Sequence, residues 1–181
     1  MYKLLVKQKI QDSIPGNLPF TASINQYLDM PVNSILKRKL IDIKEIKLRE
    51  FNFKIIHNIL PCNEMLHKWT IKQDSKCDLC DKVQTIRHLL FECVFVKEVW
   101  VLVERMLDCK ITYDDILCGF ENNLIANYVS NIAAFTIYKD WLLYSLKGEK
   151  RSNRVSKLFF EHELNLRLKI YEQAGLVYQR A

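Results

Sequence analysis

The sequence predicts a mainly α fold, a helical domain with one small loop region held by three cysteines and a histidine. Three observations predict it. Apolar residues recur at helical spacing over most of the chain. Only four Gly and four Pro punctuate 181 residues, too few for a fold rich in tight turns. One polar stretch, 74–87, interrupts the helical pattern and carries Cys77 and Cys80, with His88 and Cys93 close behind.

Residues 1–34 form a segment of short elements. Pro15, Gly16, Pro19 and Pro31 break any long helix there, leaving a short helix or strand and a helical turn near Ile24–Met30. Residues 35–110 read as the helical domain that carries the cluster. A long helix is expected over 35–60, in one or two pieces. Ile43, Ile46, Phe53 and Ile56 make one stripe, and Leu48, Phe51, Ile55 and Ile59 an adjoining one. Pro61 ends the element, and Asn63 is placed to cap a short helix through Glu64, Leu66 and Trp69.

Thr85 is placed to cap a helix through His88, Leu89 and Leu90. The next helix is expected from Phe95 to Leu107, with Phe95, Val99, Leu102, Val103 and Met106 inward. Residues 111–181 read as a C-terminal helical extension. It opens with a capped turn at Thr112–Leu117 and continues in a helix over Asn127–Leu146. Ile132, Phe135, Tyr138, Leu142 and Leu146 mark that helix's apolar face. Gly148 suits a C-cap, and a last helix runs from about Val155 to Ala174.

The spacing C-x2-C, seven residues, His, four residues, Cys supplies three thiols and an imidazole. These are the number and type of ligands that a tetrahedral zinc ion takes. Four protein ligands leave no open position, so the expected site is structural, with one Zn2+. Metal binding would order a loop that buries little by itself. Asp78, Asp81 or Glu92, or a backbone carbonyl, is positioned to receive the second ring N–H of His88. The competing reading is a chance coincidence of six Cys. A redox C-x2-C pair is disfavoured because no βαβ pattern surrounds it, and an iron–sulfur site wants four thiolates. Cys62 and His67 lie close enough in sequence to be rival ligands, whereas Cys109 and Cys118 read as small buried thiols.

The start, MYKLLVKQKIQ, lacks the apolar run of a signal peptide. A disulfide framework is therefore the weaker reading of the cysteines, and an intracellular chain is expected, nuclear or cytoplasmic. The apolar run 94–107 is broken by Lys97, Glu98, Glu104 and Arg105, so no membrane partner is expected.

Formal charge is +6, which favours an anionic partner. Lys37, Arg38, Lys39, Lys44 and Lys47 are offset from the stripes of the 35–60 helix. Lys147, Lys150, Arg151, Arg154 and Lys157 cluster at an interhelical junction. Both groups are candidates for contact with RNA or DNA phosphates, against the alternative of solvated charged faces. Trp69, Trp100 and Trp141 fit core packing better than base stacking. Tyr113-Asp114-Asp115 resembles a polymerase aspartate pair only superficially, because Thr112 and the acids suit the first turn of a helix. His162 is too isolated for acid–base chemistry, and no nucleophile-elbow context supports a hydrolase.

The stretch FNFKIIHNILPCNEMLHKWTIKQDSKCDLCDKVQTIRHLLFECVFVKEVW, Phe51 to Trp100, resembles the zinc-binding domain at the C-terminal end of non-LTR (LINE-type) retrotransposon reverse transcriptases. FKIIHNILP, LHKW, CDLC, TIRHLLFEC and the closing VW carry the resemblance. AAFTIYKDW, Ala133 to Trp141, is similar to the helical segment that follows that module, departing from it at Thr136 and Trp141. The resemblance implies Cys77, Cys80, His88 and Cys93 as ligands. It also implies a non-catalytic accessory domain that helps a reverse transcriptase hold template RNA or target DNA. The alternative is a structural or protein-interaction module docking onto the polymerase core without touching nucleic acid. The 181 residues contain no recognisable polymerase or endonuclease region, and the expectation is a fragment, a degenerate copy or a separately encoded remnant.

Overall fold

The computed structural model describes residues 35, 39, 45–121, 123–147 and 153–173. The expectations for 1–34 lie outside the described residues, as does the C-cap at Gly148. Six α-helices are described: α1 Ile46–Ile56, α2 Asn63–Lys68, α3 Lys97–Leu107, α4 Tyr113–Cys118, α5 Leu124–Lys147 and α6 Asn153–Gln173. Between α2 and α3 lie a small hairpin, a π-helical turn at His88–Glu92 and a 3-10 turn at Val94–Val96. The fold is mainly α, and the one β feature among the described residues is the isolated antiparallel bridge Lys76–Val83.

Within α1 the second stripe faces the core, joined by Ile56 from the first. Leu48, Phe51 and Ile55 are buried, while Ile46 is 72% and Phe53 44% exposed. The helix stops before Pro61. Asn58 adopts a left-handed conformation (φ 52°). The Asn58 N–H then reaches the Ile55 carbonyl at 2.9 Å and the Ile59 N–H the Lys54 carbonyl at 2.9 Å. This pair of bonds is a Schellman ending, which Asn tolerates better than most residues.

Thr112 caps α4 as its sequence context predicts. Its hydroxyl accepts from the Asp115 N–H at 3.2 Å, and the Asp115 carboxylate accepts from the Thr112 N–H at 2.8 Å. The acidic pair is thereby part of a capping box.

α5 starts three residues earlier than its apolar pattern indicates, because Asn123 caps it, accepting from the Ala126 N–H at 2.9 Å. Asn127 clasps the preceding turn. Its side chain accepts from the Phe120 N–H at 2.6 Å and donates to the Phe120 carbonyl at 2.9 Å. From Ala126 to Ile137 the helix is buried nearly all round, with Ala126, Ser130, Ala133 and Ala134 among the buried residues. A helix enclosed on every side has no single apolar face. That explains why Phe135, Tyr138 and Leu142, expected as its inner face, are only half-buried. α5 packs against α1, α3, α4, α6 and the π-helical turn. One hydrophobic core results, running from Leu48 to Leu164 and including Cys77 and Cys93.

On α3 the buried face is Val99, Trp100 and Val103, continuing Val96, and Met106 is 49% exposed. The expected inward role of Met106 is thus taken by Trp100, whose indole N–H donates to the Leu90 carbonyl at 2.7 Å. On α6, Phe160 and Leu164 are buried. Glu163 of that helix pairs with Lys139 of α5 at 2.9 Å.

Candidate metal centre

Two short structures bring the cluster together. The first is the hairpin. Asp74 opens it with a side-chain oxygen that accepts from the Lys76 N–H at 2.9 Å. The Gln84 N–H donates to the Ser75 carbonyl at 2.8 Å, and the Cys77 N–H to the Lys82 carbonyl at 2.7 Å. The chain reverses with Asp81 in the left-handed region (φ 58°), which Asp tolerates. Cys77 and Cys80 therefore sit on one side of a tight turn. Main-chain N–H groups of Leu79 and Cys80 also donate to the Cys77 sulfur.

The second is the π-helical turn. Thr85 caps the segment as expected, its hydroxyl accepting from the His88 N–H at 3.0 Å. The continuation is not α-helical. The Cys93 N–H donates to the His88 carbonyl at 2.9 Å. In an α-helix five residues advance by about 500°, leaving the fifth about 140° from the first. The wider π turn brings residues five apart towards one side of the helix. His88 and Cys93 consequently face the same point, while Leu89 and Leu90 enter the core.

The four ligand atoms all lie within 4.8 Å of one another. Cys77 Sγ is 4.0 Å and Cys80 Sγ 3.9 Å from Cys93 Sγ, and Cys80 Sγ is 3.2 Å from His88 Nε2. A tetrahedral zinc with sulfurs at about 2.3 Å separates them by about 3.8 Å, and separates sulfur from an imidazole nitrogen by about 3.5 Å. The spacing therefore fits that ion. It does not fit a disulfide, whose sulfurs lie about 2 Å apart, and all six cysteines are free. Cys77, His88 and Cys93 are buried and Cys80 half-buried. The cluster can coordinate one structural Zn2+, and among the described residues it is the one such group.

The electrostatics of the site call for a cation. The hydrogen bond between the Cys77 and Cys93 sulfurs lowers the pKa of Cys77, helped by the main-chain donors. Cys93 is pushed far up, first by the same hydrogen bond and then by burial. Crowded, desolvated sulfurs cannot all be anionic together. A divalent ion between them removes that conflict and deprotonates all three.

The surroundings differ from expectation in two places. Asn63 does not cap α2 with its side chain. Its amide instead donates to the Lys76 carbonyl at 2.6 Å and to Asp78 at 3.1 Å. Asp78 also pairs with Lys72, and Glu92 pairs with Arg87 at 2.7 Å. These carboxylates thus have partners other than the His88 ring. Gln84, buried at 1% exposure, accepts from the Asn63 N–H at 3.0 Å and donates to Cys77 Sγ at 3.5 Å. Nothing in a polar loop sequence distinguishes such a glutamine from its solvated neighbours.

The rival ligands lie elsewhere. Cys62 is buried, its thiol pushed up to about 11 by desolvation. His67 is exposed, beside the Lys72 carbonyl. His57 stacks on Phe53 with ring centroids 3.8 Å apart. Trp100 and Trp141 are core residues and Trp69 is half-buried.

Of the basic candidates, Lys47 is exposed and Lys157 half-buried. The surface charge expected at Lys39 is instead buried, its amino group donating to the Ile116 carbonyl. Desolvation lowers its pKa to about 7. Lys147 closes α5 and Arg154 lies in the first turn of α6. Lys37, Arg38, Lys44, Lys150 and Arg151 lie outside the described residues. No described helix is long and apolar enough to cross a membrane.

Comparison with curated proteins and with solved structures gives no match. Residues 28–100, the segment that holds all four candidate ligand residues, match the family model described as zinc-binding in reverse transcriptase.

Proposed function

We infer that this chain is a zinc-stabilised accessory module of a reverse transcriptase, with Cys77, Cys80, His88 and Cys93 as the zinc ligands and with template RNA or target DNA as its partner. The observation that carries this reading is the convergence of four ligand atoms within 4.8 Å inside the segment that matches the reverse-transcriptase zinc family. Bound zinc supplies a cross-link and a positive charge that keeps the thiolates ionised. The protein ligands fill a tetrahedral shell, which leaves no position for a reacting water. The role of the metal is therefore to fix the hairpin and the π-helical turn against the core.

The net charge of +6 supports a polyanionic partner. Lys47, Lys147, Arg154 and Lys157, together with Lys37, Arg38, Lys44, Lys150 and Arg151, are the proposed phosphate contacts. Contacts of this kind bind without reading sequence. Titration of the zinc-loaded protein with single-stranded RNA and with duplex DNA over a salt series tests the reading. Affinity is expected to fall steeply as salt rises. Absent or salt-independent binding would contradict it.

A second reading, docking onto a polymerase core, draws on Ile46 and Phe53, exposed at 72% and 44% on the outward side of α1. Retained affinity for the polymerase core without affinity for nucleic acid would favour it.

A further inference from the structure

Gln84 lies on the strand that leaves the hairpin, between the bridge at Val83 and the cap at Thr85. It is 1% exposed, an unusual location for an uncharged amide unless every polar atom has a partner. Four hydrogen bonds converge on this residue. Its own N–H donates to the Ser75 carbonyl at 2.8 Å, and its carbonyl accepts from the Glu64 N–H at 3.2 Å. Its side-chain Oε1 accepts from the Asn63 N–H at 3.0 Å, and its Nε2 donates to Cys77 Sγ at 3.5 Å.

The orientation of the amide follows from its neighbours. A main-chain N–H can only donate, so the atom facing Asn63 must be the oxygen. The NH2 group is thereby turned towards Cys77, whose sulfur must accept. A sulfur that accepts N–H bonds is best served as a thiolate, the form a metal requires. The first two main-chain donors of α2, at Asn63 and Glu64, both terminate on Gln84. Those donors have no partner within the helix itself. Asn63 returns the contact by donating to the Lys76 carbonyl and to Asp78, on either side of Cys77.

Resting on the zinc reading above, we propose that Gln84 is a positioning residue for the metal centre. One arm of its amide holds the Cys77 thiolate, and the other arm caps α2, so that occupancy of the site and docking of α2 are coupled. Cys80 is the contrasting ligand. It is half-buried, and its sulfur faces His88 and Cys93. The site is therefore asymmetric, with Cys77 anchored by the protein and Cys80 the more accessible sulfur.

The test uses the full chain with Gln84→Glu, which keeps an acceptor for the Asn63 N–H but loses the donor to sulfur, and Gln84→Met, which loses both. Three quantities are read. They are zinc affinity by chelator competition, the sulfur-to-metal charge-transfer band of the Co2+-substituted protein, and the relative alkylation of Cys77 and Cys80 by peptide mapping. For Gln84→Glu the expected result is zinc affinity lowered about tenfold, a shifted charge-transfer band and a gain in Cys77 alkylation relative to Cys80. Gln84→Met is expected to show the same changes with a lower melting temperature. If that variant does not fold, the glutamate variant decides alone. Wild-type protein that binds one zinc, with a glutamate variant identical to it in all three readouts, overturns the role of Gln84 and leaves the zinc reading intact. Wild-type protein that takes up no zinc overturns both.

Discussion

The Cys93 N–H donates to the carbonyl of His88, five residues back, at 2.9 Å. This bond sets the geometry of the second half of the metal centre. It replaces the α-helical step with a π turn and lets a ring and a sulfur in the H-x4-C spacing face the same point. π turns of this kind occur often at functional sites, and here the ligand geometry supplies a reason.

Trp100 supports that turn from α3, its indole N–H donating to the Leu90 carbonyl at 2.7 Å. Trp100→Phe keeps most of the packing and leaves the carbonyl unpaired in the core. Stability is expected to fall by about 1–3 kcal/mol, measured by urea unfolding of the zinc-loaded protein. An unchanged midpoint would show that the turn stands without this bond.

Gly119 ends α4 at φ 79°, in the region where a side chain is strained. A Cβ there would meet the Asn127 side-chain oxygen at 2.7 Å, the atom that accepts from the Phe120 N–H. Gly119→Ala is expected to destabilise the fold by about 1–3 kcal/mol, read as a lower melting temperature. Asn127→Ala should act in the same direction, because both Phe120 main-chain groups lose their partner.

Much of this architecture was legible in the sequence, and the exceptions share a cause. The clustering of Cys77, Cys80, His88 and Cys93 was legible because cysteine and histidine are scarce and their spacing is short. Thr112 and Thr85 declared themselves because capping is a local bond. The two stripes of α1 could not be ranked, since Ile46 and Phe53 are as apolar as Leu48 and Phe51 and only tertiary packing selects between them. Met106 lost its expected place to Trp100 for the same reason. The π turn was hidden because five residues read alike in α and π geometry. Gln84 and Asn63 were hidden because long-range hydrogen bonds leave no periodic trace.

Lys39 gives the fold a pH dependence with a definite sign. Burial lowers its pKa from 10.5 to about 7, so between those values the unfolded chain carries a proton that the folded chain does not. The unfolded state therefore binds more protons in this window, and stability is expected to rise with pH from about 7 towards 10.5. The penalty of the buried charge is fully present below the folded value and absent above the unfolded one. Lys39→Met should remove that upward slope, as read from unfolding free energies at pH 7, 8 and 9. An identical slope in the variant would contradict the assignment.

Acid should strip the metal and the fold together. Three thiolates and a neutral imidazole must all give up protons to bind zinc, so zinc release on acidification should coincide with loss of the cooperative transition. Simultaneous monitoring of released zinc with a chromogenic chelator and of helicity by circular dichroism checks this. Zinc release at a pH where unfolding remains fully cooperative and unchanged would separate the metal from the fold.

The most direct measurement is the metal content of freshly purified protein, taken together with thermal unfolding of the wild type, Cys77→Ser and Cys93→Ser. One Zn2+ per chain is expected in the wild type, with loss of both the metal and the cooperative transition in each variant. Wild-type protein without zinc, or variants that keep both metal and melting curve, would contradict the central claim that three sulfurs and one imidazole fold this module around an ion.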